Sequence, residues 1–139
     1  MKKPVSLILV LLMTLSLAVP ALGAQVPTVS PCYTNAQQAQ ISFTIDQNGN
    51  GSVLIQCVGN SNVSHIRLVT YLERNVNGNW VRVDIGTTNN QWVYSALDNA
   101  AVISYTPKLT VKGQYRASTV ITLTATTVEV IRLNTTRTY

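Results

Sequence analysis

The sequence predicts an all-β protein, built as a single antiparallel β-sandwich of seven or eight strands. Short runs rich in Val, Ile, Thr and Tyr are separated by Asn and Gly, which is the composition of half-buried strands and their turns. Apolar and polar residues alternate within these runs, and no run after residue 24 has helical periodicity. A small closed β-barrel is the alternative, because alternation alone does not distinguish it from a sandwich.

Residues 1–24 have the pattern of a secretory signal peptide. A pair of lysines near the N-terminus precedes an apolar run at 7–19, and small residues follow it. The apolar run is shorter than the roughly 20 residues that a membrane-spanning helix needs. We therefore expect cleavage after Gly23 or Ala24, secretion to the extracellular space and no membrane anchor on the product. The short leader with two lysines is typical of a bacterial protein.

Charge argues against nucleic acid as a partner. The chain has ten Lys and Arg against five Asp and Glu, a formal net charge of +5, and loss of the two leader lysines lowers it to +3. The remaining basic residues are scattered along the sequence, with no cluster that would follow a phosphate backbone.

The two cysteines predict a link between an N-terminal segment and the domain. Residues 25–39 form a polar segment that contains Cys32, and the β-sandwich domain is predicted for residues 40–139, with Cys57 in its second strand. A cysteine pair in an exported protein favours a disulfide. Closing this loop would contribute roughly 3 kcal/mol in the chain-entropy model. We therefore predict a Cys32–Cys57 bond.

Alternation assigns the faces of the predicted strands. In the run VRVDI, Val81, Val83 and Ile85 form a core face. Trp80, Arg82 and Asp84 lie on the solvent face of the same strand. The predicted strands are residues 40–46, 52–58, 63–75, 79–86, 91–95, 100–106, 114–126 and 128–137.

An Asn-Gly dipeptide at 77–78 predicts a two-residue hairpin turn. With these two residues in the turn, Leu72 pairs with Val83 and Glu73 with Arg82. The first pair is apolar and the second has opposite charges, so the turn and the side-chain pairing agree.

The stretch DQNGNG at 46–51 resembles the first half of an EF-hand calcium loop. Asp46, Asn48 and Asn50 recur at alternate positions before a glycine, but the twelfth position, where the loop needs Glu, is Cys57. The flanking residues also have strand patterns where an EF-hand has helices. A glycine-rich hairpin turn is therefore favoured, and a weak cation site at Asp46, Asn48 and Asn50 is the alternative.

Register supports the hairpin at this loop. A turn centred on Gly49 pairs Phe43 with Ile55 and Ile45 with Val53, so that both pairs are apolar. A two-residue turn would instead turn one strand's core face outward.

The residues of catalysis are sparse, so we do not expect an enzyme or a cofactor. The only histidine, His65, neighbours Ser64, and adjacent strand residues point to opposite faces. Five acidic residues show no pair that would face across a cleft, and one histidine gives no metal-ligand set. A small hydrolase that gathers His65 with an acid and a hydroxyl is a remote alternative.

Aromatic residues beside Asn- and Gln-rich turns are the candidate ligand-binding residues. Trp80 follows NGN, and Trp92 and Tyr94 follow NNQ. Exposed rings flanked by amides can stack on sugars or anchor a protein interface. A carbohydrate platform requires that these three rings share one exposed face.

The segment LTVKGQYRASTVI, residues 109–121, resembles the tyrosine corner of fibronectin type III and immunoglobulin-like domains. Leu109, Gly113 and Tyr115 match that motif. The resemblance implies that the Tyr115 hydroxyl bonds to the backbone upstream, within an immunoglobulin- or fibronectin-like sandwich. The chain is also similar, more loosely, to small uncharacterised secreted proteins of Gram-positive bacteria.

These observations predict a secreted, non-catalytic binding module. Its expected partner is a protein or a component of the cell envelope, and the alternative is a carbohydrate. The chain carries few charges that would discourage pairing of sheet edges, so we also expect self-association through an edge strand, with the C-terminal strand VEVIRLNTTRT as the candidate.

Overall fold

The computed structural model describes residues 32–139, which fold as an eight-stranded antiparallel β-sandwich. The predicted fold class is confirmed, and the predicted leader, residues 1–24, lies outside the described residues. No helix among residues 32–139 has the length and apolarity to cross a membrane. The strands are β1 (Ala36–Ile45), β2 (Gly51–Gly59), β3 (His65–Val76), β4 (Asn79–Arg82), β5 (Trp92–Ala96), β6 (Ala100–Tyr105), β7 (Gln114–Thr124) and β8 (Val128–Thr138), with a short 3-10 turn at Thr88–Asn90.

Strand β3 is the centre of the larger sheet. The smaller sheet has the order β1-β2-β6, and the larger has β4-β3-β7-β8. Along one side β3 pairs with β7 from His65 to Arg74. Along the other it pairs with β5 over its first half and with β4 over its second half. Strand β8 therefore lies at a sheet edge, and the self-association expected from that position stays a prediction.

The core lies between the two sheets and is built by alternate residues. In β3, Ile66, Leu68 and Leu72 are buried with no solvent exposure, and they pack in one cluster with residues of the facing sheet such as Phe43 and Ile55. Every buried side chain of this kind removes apolar area from water, which is worth roughly 25 cal/mol per Å². Strand β7 has the same alternation, with Tyr115, Ala117, Thr119, Ile121 and Leu123 buried.

One polar pair lies within this core. Thr70 of β3 and Thr119 of β7 are both buried and face each other in the sheet register, with 2.9 Å between their hydroxyl oxygens. A two-residue slip between the strands would separate the pair and leave two buried hydroxyls without partners, which costs free energy. The pair therefore helps to specify the β3–β7 register.

The hairpin predicted at residues 77–78 is confirmed, including its register. Asn77 and Gly78 have φ angles of 52° and 87°, as a primed two-residue turn requires. Glu73 is aligned with Arg82 as predicted, but its ion pair is with Arg116 across the other side of β3. Strand β4 also ends at Arg82, earlier than the predicted 79–86.

The β1–β2 hairpin has the predicted faces and a different register. Phe43 pairs with Val53 and Ile45 with Gly51, so the five-residue loop is centred on Asn48 and the predicted centre at Gly49 is wrong. The register differs by two residues, an even number, and therefore leaves the same residues in the core. Gly49 has a φ of 79°, and a Cβ at this position would collide with the carbonyl oxygen of Leu109. Only glycine fits this close approach.

The N-terminal segment is held by a carboxylate. The sandwich begins at Ala36, within the predicted segment 25–39, and not at residue 40. Glu129, near the start of β8, accepts hydrogen bonds from the backbone amides of Thr34, Asn35 and Ala36 at 2.8, 2.8 and 3.2 Å. These charge-assisted bonds join the two edge strands of the facing sheets.

The predicted Cys32–Cys57 disulfide is not formed in the structure, where both cysteines are free. Cys57 points into the core of β2, aligned between Ala39 and Ala101, and has no solvent exposure. Cys32 is exposed, outside the sandwich. Burial, with a smaller effect from Glu129, raises the pKa of the Cys57 thiol to about 11. The link that the disulfide was expected to provide is made by Glu129.

Replacing Glu129 with Gln will lower the free energy of unfolding by about 2 kcal/mol, because one neutral oxygen cannot replace a carboxylate that accepts three amide hydrogen bonds. Urea unfolding followed by circular dichroism measures this change. Asp98→Asn is the control, since Asp98 bonds only amides of its own exposed turn. Equal stability of the two variants would contradict the role of Glu129.

Thiol labelling of the native protein at about pH 8.5 will modify Cys32 and not Cys57, because only the thiolate reacts and Cys57 is buried and protonated at this pH. Peptide mass spectrometry identifies the labelled cysteine. In denaturant, without reductant, both cysteines will be labelled. A protein that gives no label in denaturant until a reductant is added would contain the disulfide.

Candidate functional site

The loop of the predicted cation site is closed by a lysine. The Lys108 ammonium donates to the carbonyl oxygen of Asn48 and to the side-chain oxygen of Asn50, each at 2.8 Å. The Asp46 carboxylate accepts from the Asn48 and Asn50 amides and from the Asn50 side chain. The bonds from Asn50 lower the pKa of Asp46. The oxygens proposed as ligands are therefore bonded to groups of the protein itself.

Metal ligands are not gathered elsewhere in the described part of the chain. Among residues 32–139, no three His, Cys, Asp or Glu side chains lie close enough together to hold an ion.

His65 lies on the outer surface of the larger sheet, beside a serine. Its Nε2 is 2.7 Å from the Ser95 hydroxyl, and Ser64 bonds the carbonyl of Thr124 instead. No carboxylate among residues 32–139 bonds the other ring nitrogen, and neither cavity found in this region includes His65. The structure brings a hydroxyl to the histidine without the orienting acid that a triad requires.

The tyrosine-corner residues lie together at the start of β7. The Tyr115 hydroxyl donates to the carbonyl oxygen of Val111 at 2.7 Å, and Leu109 and Tyr115 are both buried. The Gly113 amide donates to the carbonyl of Tyr139, the last residue of the chain, and the Tyr139 amide returns the bond. This is a structural contact that holds the β6–β7 connection against the C-terminus.

The three candidate aromatic residues do not share a face, so the planar carbohydrate platform is wrong. Trp92 and Tyr94 are aligned with Thr70 and Leu68, which are buried, and therefore point toward the interior side of the sheet. Trp80 is aligned with Asn75 and points to the outer side. Strands β4 and β5 pair with the same edge of β3 in different registers. Even-numbered residues of β4 are aligned with outward, odd-numbered residues of β3, whereas even-numbered residues of β5 are aligned with its inward, even-numbered residues.

The outer side of the larger sheet gathers four arginines, and we call it the arginine face. Arg67, Arg82, Arg116 and Arg132 come from four different strands, β3, β4, β7 and β8. Glu73 is the only carboxylate at an outward position of these strands. Half of the eight Lys and Arg residues of the described chain therefore lie on this face.

Two of these arginines are ordered by aromatic rings. The Arg82 guanidinium carbon lies 4.0 Å from the centre of the Tyr71 ring, and that of Arg116 lies 4.4 Å from the Trp80 ring. Arg116 also donates to Glu73 through Nε and Nη2, both at 2.8 Å. Such cation–π contacts contribute roughly 0.5–1 kcal/mol at exposed sites. Arg67 and Arg132 form no ion pair with any residue of 32–139.

An apolar band crosses the same face. Val93, Val69 and Val120 are aligned in neighbouring strands, and the row ends at Arg132 on β8. Val93 and Val130 are about half exposed, at 50% and 52%. Apolar side chains at the centre of a sheet and arginines around them are unusual for a surface that stays in water.

The outer side of the smaller sheet is different, because it carries no charge. Gln40 and Gln56 bond to each other there through their amides at 2.8 Å. The positive charge of the sandwich is therefore concentrated on one of its two sheets. The outward residues of the smaller sheet are Gln38, Gln40, Ser42, Thr44, Ser52, Leu54, Gln56, Val58, Ala100, Val102 and Ser104.

Reasoning from the sequence missed the arginine face, since the arginines are far apart in the chain. Arg67 and Arg132, for example, are separated by 65 positions. Alternation alone places each of them opposite the core, but only strand order places them together. The one signal of this face in the sequence was the predicted pairing of Glu73 with Arg82, which placed two charged residues on the outer side of the sheet.

No known protein family matches this sequence, and a comparison with curated protein sequences finds no relative.

Calcium at millimolar concentration will leave the thermal unfolding midpoint unchanged, because Lys108 already bonds the loop oxygens. Lys108→Met will lower the midpoint by about 2–4 °C, since it removes both hydrogen bonds. Differential scanning calorimetry with calcium and with chelator measures both effects, and Lys112→Met is the control for loss of a lysine. A rise in the unfolding midpoint of the unmodified protein on addition of calcium would contradict this prediction and support the cation site.

Proposed function

We propose that the chain is a secreted, non-catalytic binding module that docks an acidic protein of the cell envelope through its arginine face. The observation that carries this proposal is the composition of the face, with four arginines, Trp80, Tyr71 and a band of valines against a single carboxylate. Protein interfaces are enriched in Arg, Trp and Tyr and depleted in Lys, Glu and Asp.

The size of the face suits a stable complex. It spans up to six residue rows along β3 and four strands across, which corresponds to roughly 700 Å² from strand dimensions. A standard interface buries about 800 Å² on each partner. The face is therefore large enough to form most of one side of such an interface without help from the loops.

The arrangement favours a protein over an anionic polymer. A polysaccharide or nucleic acid would pair with the arginines but would leave the band formed by Val93, Val69 and Val120 without an apolar partner. An acidic protein surface offers carboxylates for Arg67 and Arg132 and apolar side chains for the valines between them. Arginine also binds carboxylates in a planar, bidentate geometry, which gives the contact orientation.

The leader pattern and the strand order support the remaining parts of the proposal. Residues 1–24 have the signal-peptide pattern, which supports secretion. The sheets β1-β2-β6 and β8-β7-β3-β4 correspond to the A-B-E and G-F-C-C′ orders of immunoglobulin-like sandwiches, and Tyr115 lies at the start of the strand equivalent to F. These features support membership of that large architecture, which by itself assigns no activity.

The double variant Arg67→Glu, Arg132→Glu will lose binding to isolated bacterial cell envelopes by roughly tenfold to a hundredfold, because two interface arginines become repulsive toward an acidic partner. Fluorescently labelled protein is titrated onto the envelopes in a sedimentation assay at low and high salt. Protease treatment of the envelopes should abolish saturable binding if the partner is a protein.

Lys112→Glu, Arg137→Glu is the matched control, since it changes the net charge equally and lies off the arginine face. Binding that falls equally in both double variants would reflect net charge alone and would contradict the proposed site. Binding that survives protease would point to an envelope polymer.

A further inference from the structure

A cleft lies at the open end of the sandwich, on the interior side of the larger sheet. It runs between the segment that follows β4 and the segment that joins β6 to β7. Its volume is about 490 Å³, within the range of small-molecule sites, and a smaller cavity of about 270 Å³ continues it toward Arg74. Both cavities share Val83, Asp84, Lys108 and Leu109.

One wall of the larger cavity is aromatic. The rings of Trp92 and Tyr105 are stacked with their centres 4.5 Å apart and 6° from parallel. Burial, and then the neighbouring Tyr94, raises the pKa of Tyr105. These rings come from β5 and β6, which belong to different sheets, so the wall bridges the two layers of the sandwich.

Polar residues in the lining of this cavity include one carboxylate, that of Asp84, and one hydroxyl, that of Thr106. Asp84 accepts from the Gly86 amide through Oδ1 at 2.9 Å, and its Oδ2 has no hydrogen bond to residues 32–139. Ser104 also borders the cavity, but its side chain points to the outer side of the smaller sheet. Lys108 lines it too, but its ammonium already bonds Asn48 and Asn50.

From this geometry we infer a binding site for a neutral saccharide, with the Trp92–Tyr105 wall against the C–H side of a sugar ring and Asp84 accepting from its hydroxyls. A sugar has an apolar side and a rim of hydroxyls, and it needs both kinds of contact. The one carboxylate and one ammonium that line the larger cavity cancel in charge, which favours an uncharged ligand. A proline-rich peptide would use the aromatic wall but would leave the Asp84 oxygen without a donor.

This site is independent of the arginine face. Trp92 points to the interior side of the sheet, whereas the arginines point to its outer side. If no saccharide binds, the proposed docking of a protein on the arginine face is unaffected. If no protein binds the arginine face, the proposed saccharide site is likewise unaffected.

The two tryptophans of the chain allow a direct test. In a Trp80→Phe variant, Trp92 is the only tryptophan, so its fluorescence reports on the cleft. The variant is titrated with cellotetraose, chitotetraose and mannotetraose, and with an oligoproline peptide. We expect a saturable shift of Trp92 emission with at least one saccharide, at a dissociation constant of about 10–1000 μM, which is a common range for sites with few polar contacts. A Trp92→Phe variant, which reports on Trp80, should show no shift.

An Asp84→Asn substitution, introduced into the Trp80→Phe variant, distinguishes specific saccharide binding from nonspecific adsorption to an aromatic surface. Asn keeps an oxygen for the Gly86 amide and replaces only the free carboxylate oxygen, so the fold is retained, and the thermal midpoint checks this. Saccharide affinity should fall roughly tenfold, whereas Arg132→Glu should leave it unchanged. The inference is overturned if no saccharide shifts Trp92 emission below about 10 mM, if Asp84→Asn binds equally well, or if only oligoproline binds.

Discussion

The period of two residues along β3 is the constraint on which the rest of the structure depends. This strand has neighbours on both sides over most of its length, and every second side chain, such as Leu68, is buried against the smaller sheet. The intervening residues must then point outward. The burial that stabilises the sandwich therefore also determines that Arg67 lies in the outer surface of the sheet. A register shift of one residue between β3 and its neighbours would exchange the buried and the outward residues. A shift of two residues is disfavoured because it would separate the buried hydroxyls of Thr70 and Thr119.

The two sides of this sheet differ in chemistry because they have different neighbours. The outer side is open, so arginines from four strands share it with valines, and long-range attraction of an acidic partner is the expected result. The interior side is covered by the smaller sheet except at one end, where the segments that follow β4 and β6 leave a cleft with the Trp92–Tyr105 pair. The two proposed sites therefore lie on opposite sides of one sheet and do not overlap.

The segment before β1 and the loop between β1 and β2 are held by charged groups. Glu129 binds the amides before β1, and Lys108 bonds the loop between β1 and β2. Each group joins parts of the chain that are distant in sequence. Both ionic contacts lie near the rim of the sandwich, where water access keeps the cost of desolvation low.

Local patterns in the sequence determined the fold class, the positions of all eight strands, the faces of the longer strands and the register of the hairpin at Asn77 and Gly78. These features depend on residues a few positions apart, where side-chain period and turn conformation are decisive. Only the tertiary structure decided which distant residues meet. It grouped the arginines on one face, set Trp80 opposite Trp92, left Cys57 as a buried free thiol and placed a lysine in the loop that resembled a calcium site. The physical reason is that strand order across a sheet arises from burial of the whole core, and no short stretch of sequence carries that information.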